Sequence, residues 1–335
     1  MIDLPIIWAA LIAFAVLAYV VLDGFDLGVG ILFAVEHEDA DRDVMVNSVA
    51  PVWDGNETWL ILGGGGLLAV FPLAYATILP ALYPAMIGML LALVFRGVAF
   101  EFRFRAHTRR GRRWWDVSFA AGSTVAAFCQ GLALGGLLQG IKVVNRAYAG
   151  GWWDWLTPFS LLCGVALVVG YALLGATWLI WRTEGALQAR CRTYSHMLGI
   201  ATMALIGVVS LWTPFLHPRF AARWFFWPGI ALTSPVPALL ALLAWRFWRG
   251  LAQHQEVAPF LCVLGWFVLC FAGLGISMFP LMVPPDIDIW QAAAPHDSQL
   301  FLLVGAVVLV PVILAYTAYA YWVFRGKVKP GAHYH

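Results

Sequence analysis

Two pairs of acidic residues lie where the sequence is otherwise apolar. Asp23 and Asp26 close the first long apolar run, and Asp54 and Glu57 open the second. Each pair has i,i+3 spacing, so its two carboxylates share one face of a helix. A carboxylate at mid-bilayer costs about 2.5–3.5 kcal/mol on insertion scales, and such residues are usually paired or line a polar path. The pattern favours carboxylates that take up and release protons.

Helix capping is the alternative interpretation of the same residues. In Asp54-Gly55-Asn56-Glu57 the aspartate has the type and position of an N-cap, and Glu57 would complete a capping box. Capping explains Glu57, one turn into its run, and Asp23, well inside its run, only in part. Capping and proton transfer can coexist in one carboxylate, so both interpretations stay open.

Arg96 lies several residues before a basic loop, in Phe95-Arg96-Gly97-Val98-Ala99-Phe100-Glu101. A guanidinium inside a span needs a carboxylate or a backbone partner. Two interpretations stay open. In the first, Arg96 extends to the inner interface by snorkelling. In the second, it forms an ion pair with an acidic residue, for which Glu101 is the candidate.

The elements that position these residues must be membrane helices. Of the 335 residues, 62% are hydrophobic and 11% are charged, against about 25% charged in soluble domains. A span needs about 20 apolar residues. Nine runs are long enough, at roughly 4–34, 53–72, 74–101, 115–141, 157–181, 194–215, 228–248, 258–283 and 299–324. The run 53–72 is interrupted by Gly63 to Gly66, and its end depends on Pro72. The sequence predicts an all-α integral membrane protein, with nine transmembrane helices in one polytopic domain over residues 1–335.

The placement of lysine and arginine predicts the topology, because cytoplasmic loops carry an excess of both. With the N-terminus outside, the inner segments hold most of the basic residues, including those near the C-terminus. The outer segments hold Lys142, Arg146, Arg219 and Arg223. We therefore expect an external N-terminus, a cytoplasmic C-terminus, and a shared inner loop of residues 35–50 that Asp26 and Asp54 face.

The metal-ligating residue types are poorly placed for a redox centre. None of the eight histidines lies in the middle of a predicted span, and the five cysteines form no CxxC pair. Haem and copper sites need buried His, Met or Cys. We expect no catalytic residue, no cofactor and no metal on this chain alone. The net charge of +2 gives no indication of nucleic-acid binding.

Two strings of residues resemble subunit II of the cytochrome bd family of quinol oxidases. They are Asp23-Gly24-Phe25-Asp26-Leu27-Gly28-Val29-Gly30 and Asn47-Ser48-Val49-Ala50-Pro51-Val52-Trp53-Asp54-Gly55-Asn56-Glu57-Thr58-Trp59-Leu60. The resemblance continues through Phe95-Arg96 to Arg103, Leu137-Leu138-Gln139-Gly140, Met278-Phe279-Pro280 and Ala315-Tyr316-Thr317-Ala318-Tyr319. It covers essentially the whole chain, and the compact form of the subunit is similar to the cyanide-insensitive branch.

The resemblance implies the haem-free subunit of a proton-motive, non-pumping quinol:oxygen oxidoreductase in the bacterial cytoplasmic (inner) membrane. Haem b and haem d would be held by the larger subunit I, which oxidises membrane quinol and reduces dioxygen to water. Some members contain a structural quinone. Expected partners are subunit I, a small single-helix accessory subunit, membrane quinol and lipid.

The resemblance also implies roles for single residues. In the family, the aspartate of the Trp-Asp-Gly-Asn motif and the second tryptophan of that motif lie on a path for cytoplasmic protons; these are Asp54 and Trp59 here. The paired aspartates Asp23 and Asp26 lie nearby. Glu57 is expected on the same path, although the residue type at its position varies in the family.

Two other functions stay open at the level of sequence. The first is a proton- or cation-coupled secondary transporter that uses the intramembrane carboxylates; paired broken helices would favour it, and the sequence shows no such repeat. The second is a purely structural partner whose acidic residues only cap helices. That function predicts near-normal activity after the charge of Asp54 is removed.

Overall fold

The long helices of the computed structural model follow the apolar runs of the sequence. The structure describes residues 3–328. The helices are α1 (Leu4–Leu32), α2 (Asp39–Val49), α3 (Trp53–Val70), α4 (Pro72–Arg105), α5 (Arg109–Gln139), α6 (Pro158–Arg182), α7 (Gly185–Trp212), α8 (Pro218–Phe225), α9 (Gly229–Thr233), α10 (Pro235–Ala252), α11 (Ala258–Met278), α12 (Ile289–Ala292) and α13 (His296–Val323). A 3₁₀ turn, Thr213–Phe215, follows α7. Two antiparallel hairpins join β1 (Val143–Val144) to β2 (Ala147–Tyr148) and β3 (Leu281–Val283) to β4 (Ile287–Asp288).

Eight helical segments within residues 3–328 are long and apolar enough to cross a membrane. They comprise α1, α4, α5, α6, α7 with its 3₁₀ turn, α9 together with α10, α11 and α13. The helix α3 occupies the second predicted run, 53–72, but is not among them. Its first turns are polar, and the glycines Gly63 to Gly66 lower the hydropathy of its apolar half. The all-helical architecture is confirmed, whereas the count of nine spans and the orientation of the termini stay predictions.

A sharp break separates α3 from α4. Phe71 has φ −125° and ψ 61°, which ends α3, and Pro72 begins α4 at a position where its missing N–H would have had no helical partner. The boundary predicted at Pro72 is therefore confirmed. The inner segment 35–50 differs from expectation, because most of it forms α2.

Contacts among helix ends and the segments that connect them define two faces of the bundle. On one face, here called the N-terminal face, Trp290 Nε1 donates to Asp3 and the backbone N–H of Ala294 donates to the carbonyl of Val70. On the opposite face, here called the basic face, arginines link α2 to α5 and to α7. Lys329, one of the basic residues near the C-terminus that support the predicted topology, lies outside the described residues.

The helices α1 and α6 cross with their backbones in close contact. A Cβ atom added to Gly28 would lie 1.8 Å from the carbonyl oxygen of Tyr171, and one added to Gly175 would lie 2.3 Å from the backbone of Gly28. No side chain fits here, which is typical of helices that approach through small residues. The crossing fixes the rotation of α1, and so fixes which way Asp23 and Asp26 point.

The last helix, α13, lies at the edge of the bundle. Most of its contacts are with α1 and α3, and its most apolar stretch contains no buried residue. Large side chains such as Phe301, Val304 and Tyr316 are exposed along it.

Candidate functional site

Asp23 and Asp26 both lie inside the bundle, with no exposed surface. Asp23 Oδ1 is 3.0 Å from Arg96 Nη1 on α4. Asp26 Oδ2 accepts a hydrogen bond of 2.7 Å from Asn56 Nδ2 on α3. The two aspartates of α1 therefore bind side chains of two different neighbouring helices, α4 and α3.

Arg96 is the cation of this buried cluster. It is fully buried, and its Nη1 atom is 3.5 Å from Glu57 Oε2 as well as 3.0 Å from Asp23 Oδ1. The distances define ion pairs, although the angles do not satisfy hydrogen-bond geometry. The Arg96 guanidinium also lies 5.7 Å from the ring centroid of Phe100. Breaking one member of such a desolvated pair leaves an uncompensated charge, which typically costs about 3–5 kcal/mol.

Glu101 lies outside this cluster, which corrects the expected pairing of Arg96 with Glu101. It is exposed, and its Oε2 atom is 3.4 Å from Arg105 Nη2, four residues further along α4. At about 100° of rotation per residue, positions 96 and 101 point to different sides of a helix, whereas 101 and 105 share one side. Arg96 pairs inward with Asp23 and Glu57 and does not snorkel.

Asp54 is exposed in the first turn of α3 and does not cap that helix. The N-cap position is Val52, and no side chain makes a capping hydrogen bond there. The capping box of Asp54 and Glu57, which the sequence left open as an alternative, does not form. A negative charge in the first turn still interacts favourably with the positive end of the helix dipole.

Glu57 lies between the exposed Asp54 and the buried pair. Its side chain is 26% exposed, while the side chains of Arg96 and Asp23 are 0% exposed. Carboxylates at increasing depth thus run from the surface of α3 to the interior of α1. Such an arrangement can pass a proton inward from one titratable group to the next.

Trp59 is 1% exposed and packs on α1 in an apolar cluster with Ala15, Ala18 and Tyr19. Its ring meets Phe14 edge-on, with 5.7 Å between centroids. Its indole N–H has no hydrogen-bond partner among the described residues.

One hydrogen-bonded chain leads from the cluster to α13. Tyr321 donates its hydroxyl proton to Asn56 Oδ1 at 2.9 Å, and Asn56 donates in turn to Asp26. Neither Asn56 nor Tyr321 was predicted as a site residue. The available signal was that Asn56 is an amide in the first turn of a predicted membrane span, between Asp54 and Glu57.

A second hydrogen-bonded chain lies deeper in the bundle. Tyr171 donates to Gln130 Oε1 at 2.9 Å, and Gln130 Nε2 donates to the hydroxyl of Tyr19 at 2.7 Å. Tyr19 precedes Asp23 by one turn of α1. The sequence signal was the single glutamine in the middle of α5.

An ion-pair network closes the basic face around Arg103, which is 1% exposed. Its Nε atom donates to Asp116 at 2.6 Å and its Nη1 atom donates to Asp43 at 2.5 Å; Arg42 and Arg112 add further bonds to the same two aspartates. Partial burial acts to raise the pKa of Asp43. The hydrogen bonds from Arg112 and Arg103 outweigh that effect and hold this pKa below its usual value. In the sequence these arginines indicated topology alone.

The ligand type that most often holds haem iron, histidine, is not buried anywhere in residues 3–328. The tyrosine hydroxyls near the buried cluster are bonded to amides, because Tyr321 donates to Asn56 and both Tyr171 and Tyr19 bind Gln130. Within residues 3–328, no group of three or more His, Cys, Asp or Glu side chains is arranged to hold a metal ion.

Comparisons with known proteins agree along the whole chain. The family model described as cytochrome bd terminal oxidase subunit II matches residues 4–324. Cytochrome bd-I ubiquinol oxidase subunit 2 of Escherichia coli (strain K12) is 33% identical, over 97% of this chain and 95% of that protein. Cytochrome bd ubiquinol oxidase subunit 2 of Bacillus subtilis (strain 168) is 28% identical, over 96% of each.

A solved structure shares the fold. A chain from the bd oxidase of Geobacillus thermodenitrificans superposes with a TM-score of 0.81, covering 96% of this chain and 99% of that chain. The sequence identity between the two is 15%. At that identity the likeness bears on the fold alone.

Proposed function

This chain belongs to the cytochrome bd terminal oxidase subunit II family, and we propose that it is the haem-free subunit of a quinol oxidase in the bacterial cytoplasmic membrane. In this role it scaffolds the haem-bearing subunit I and carries part of the route by which cytoplasmic protons reach the site of dioxygen reduction. Haem b and haem d, held by subunit I, supply the redox chemistry.

The observation that carries the proposed proton route is the order of burial along the carboxylates. Asp54 is exposed, Glu57 is partly covered and Asp23 is fully buried beside Arg96. A guanidinium does not deprotonate in proteins, so Arg96 acts as a fixed positive charge that stabilises the ionised carboxylates around it. Protons enter at Asp54, pass to Glu57, and reach Asp23 in the interior.

The exposed side of α3 and α13 supports the scaffolding role. Asp54 is exposed on α3 in this chain by itself, and the neighbouring α13 presents an apolar surface without a buried residue in its central stretch. We propose that subunit I packs against the apolar surface of α13 and leaves Asp54 open to cytoplasmic protons. The transporter alternative gains no support, because no observation in the described part of the chain favours it.

Oxygen consumption by the complex purified through this chain tests the proposal. Asp54→Asn and Glu57→Gln each keep the shape of the side chain but cannot carry a proton, so turnover should fall about 10-fold or more. Glu101→Gln is the matched control, because Glu101 is an exposed carboxylate on the adjacent helix that pairs only with Arg105 among the described residues. Haem content should stay normal in all three variants.

The haem spectrum separates the outcomes of this experiment. Slow turnover with a normal spectrum in the first two variants alone supports the proton route. Wild-type turnover in both would contradict it and leave a purely structural subunit. A loss of haem in parallel with activity would assign the two carboxylates to assembly.

A further inference from the structure

The short helix α8 carries two arginines on the face of the bundle where basic residues are otherwise scarce. Arg219 and Arg223 have i,i+4 spacing, so they share one side of α8, while Phe220 on the other side is buried. In the proposed topology this is the outer face, where lysine and arginine are disfavoured. The partners of the two side chains therefore have to be considered one by one.

The two arginines are not equivalent. Arg223 Nη1 donates to the carbonyl of Ile276 at 2.5 Å and to the carbonyl of Phe279, so it fixes α8 to the end of α11. Arg219 is exposed and makes no hydrogen bond or ion pair with the described residues. The positive charge of Arg219 is therefore available to a molecule outside the chain.

An apolar cleft opens beside these arginines, between α9 and the end of α11. Its volume is about 610 Å³, and its lining includes Leu232, Gly275, Ile276 and Phe279, within the range of about 300–1,000 Å³ that is common for ligand pockets. A smaller cavity of about 200 Å³ adjoins it and is lined by both arginines and Ser277. Arg223 borders both spaces, and neither lining contains a carboxylate.

We propose that this cleft binds one anionic phospholipid. An acyl chain lies in the larger, apolar space, and the headgroup phosphate lies against Arg219 and Arg223 in the smaller one. The exposed side chains of Phe215, Phe226 and Trp227 flank the site and are of the aromatic type that lies at the headgroup level of a bilayer. Charge complementarity favours an anionic amphiphile over a neutral ligand such as a quinone. A neutral ligand would leave the guanidinium of Arg219, which has no hydrogen bond or ion pair with the described residues, without a counter-charge.

Native mass spectrometry of the purified complex, exchanged into phosphatidylglycerol or into phosphatidylcholine, tests the headgroup. Arg219→Gln should lower the number of retained phosphatidylglycerol molecules by one per complex, and Arg219→Lys should retain it. Arg146→Gln is the matched control, because Arg146 is also an exposed arginine of the predicted outer segments, in the β1–β2 hairpin, and it lines neither cavity. Phosphatidylcholine retention should be the same in all variants.

A second variant tests the acyl-chain space independently. A Cβ atom at Gly275 would meet nothing within 4 Å, so Gly275→Leu fills the cleft without a backbone clash. Gly207→Leu in α7 is the control, since a Cβ there also meets open space. Gly275→Leu should lose the same phosphatidylglycerol molecule while the haem spectrum stays normal. Unchanged phosphatidylglycerol in Arg219→Gln or in Gly275→Leu, or the loss of a neutral quinone in place of the phospholipid, would overturn the proposal.

Discussion

Arg96 of α4 and Asp23 of α1 form an ion pair, 3.0 Å from Nη1 to Oδ1, in which neither side chain is exposed to solvent. Glu57 of α3 lies 3.5 Å from the same nitrogen. One guanidinium therefore joins three helices at the point where the proposed proton route enters the interior. Charge at this point must stay balanced for the bundle to be stable.

Because Arg96 and Asp23 balance each other's charge, we expect the double variant Arg96→Gln/Asp23→Asn to be more stable than Arg96→Gln alone. Arg96→Gln alone should destabilise the complex strongly, because two carboxylates then face one another without a cation, at a cost of about 3–5 kcal/mol. Adding Asp23→Asn removes one of these charges and should restore part of the loss. Thermal unfolding of the detergent-purified complex, compared across both single variants and the double variant, measures the coupling. Strictly additive effects would contradict a direct interaction.

The hydrogen bond from Tyr321 on α13 to Asn56 on α3 should contribute less to stability than the Arg96–Asp23 pair. Tyr321→Phe removes the hydroxyl that donates to Asn56, leaving one buried acceptor without its partner, so stability should fall by about 1–3 kcal/mol. Tyr316→Phe on the same helix serves as control, since Tyr316 is 67% exposed. Equal melting temperatures for the two variants would show that the Tyr321–Asn56 bond does not hold the helix.

The lowered pKa of Asp43 predicts acid sensitivity of the basic face. The pKa of Asp43 is lower in the folded protein than in the unfolded chain, where an aspartate titrates at about 3.9. Its ionised carboxylate therefore stabilises the folded state fully above the unfolded pKa. This contribution is lost as the pH falls through the folded pKa. The wild type should therefore be more stable than Asp43→Asn by a constant margin above about pH 5, and this margin should shrink below about pH 4. Melting temperatures between pH 3 and pH 7 measure it. A margin that grows on acidification would contradict the pairing with Arg103 and Arg112.

Labelling of single cysteines tests the orientation. His107→Cys, in the exposed α4–α5 link, should react with a membrane-impermeant maleimide only after the cells are opened, whereas Ala149→Cys should react in intact cells. The native cysteines in the described residues are buried or half-buried, so they contribute little background. External labelling of His107→Cys would reverse the topology and the direction of the proposed proton route.

Single-sequence reasoning predicted the helices better than their contacts. Apolar length and Pro72 were sufficient for most helix positions, because a span is recognised within one segment. The pair of Arg96 with Asp23 was not predictable, since it depends on the rotation of α1, which the crossing at Gly28 fixes through the backbone of α6. The Tyr321–Asn56 bond joins residues 265 positions apart, and no local pattern carries that information.

The helix α2 was missed for a different reason. Its segment is polar and carries several acidic residues, which in isolation reads as a solvated loop. The segment is held as a helix by arginines from other parts of the chain, including the bonds of Arg103 and Arg112 to Asp43. Its stability is a property of the assembled basic face and not of its own sequence.

The break at Phe71 has a consequence for biogenesis. The helix α3 carries Asp54 and Glu57 and four consecutive glycines, so it partitions poorly into lipid when it leaves the ribosome by itself. The strongly apolar α4 follows after a single non-helical residue. The two helices are therefore expected to enter the bilayer together as one helical hairpin during translation, with α4 supplying the driving force that its neighbour lacks.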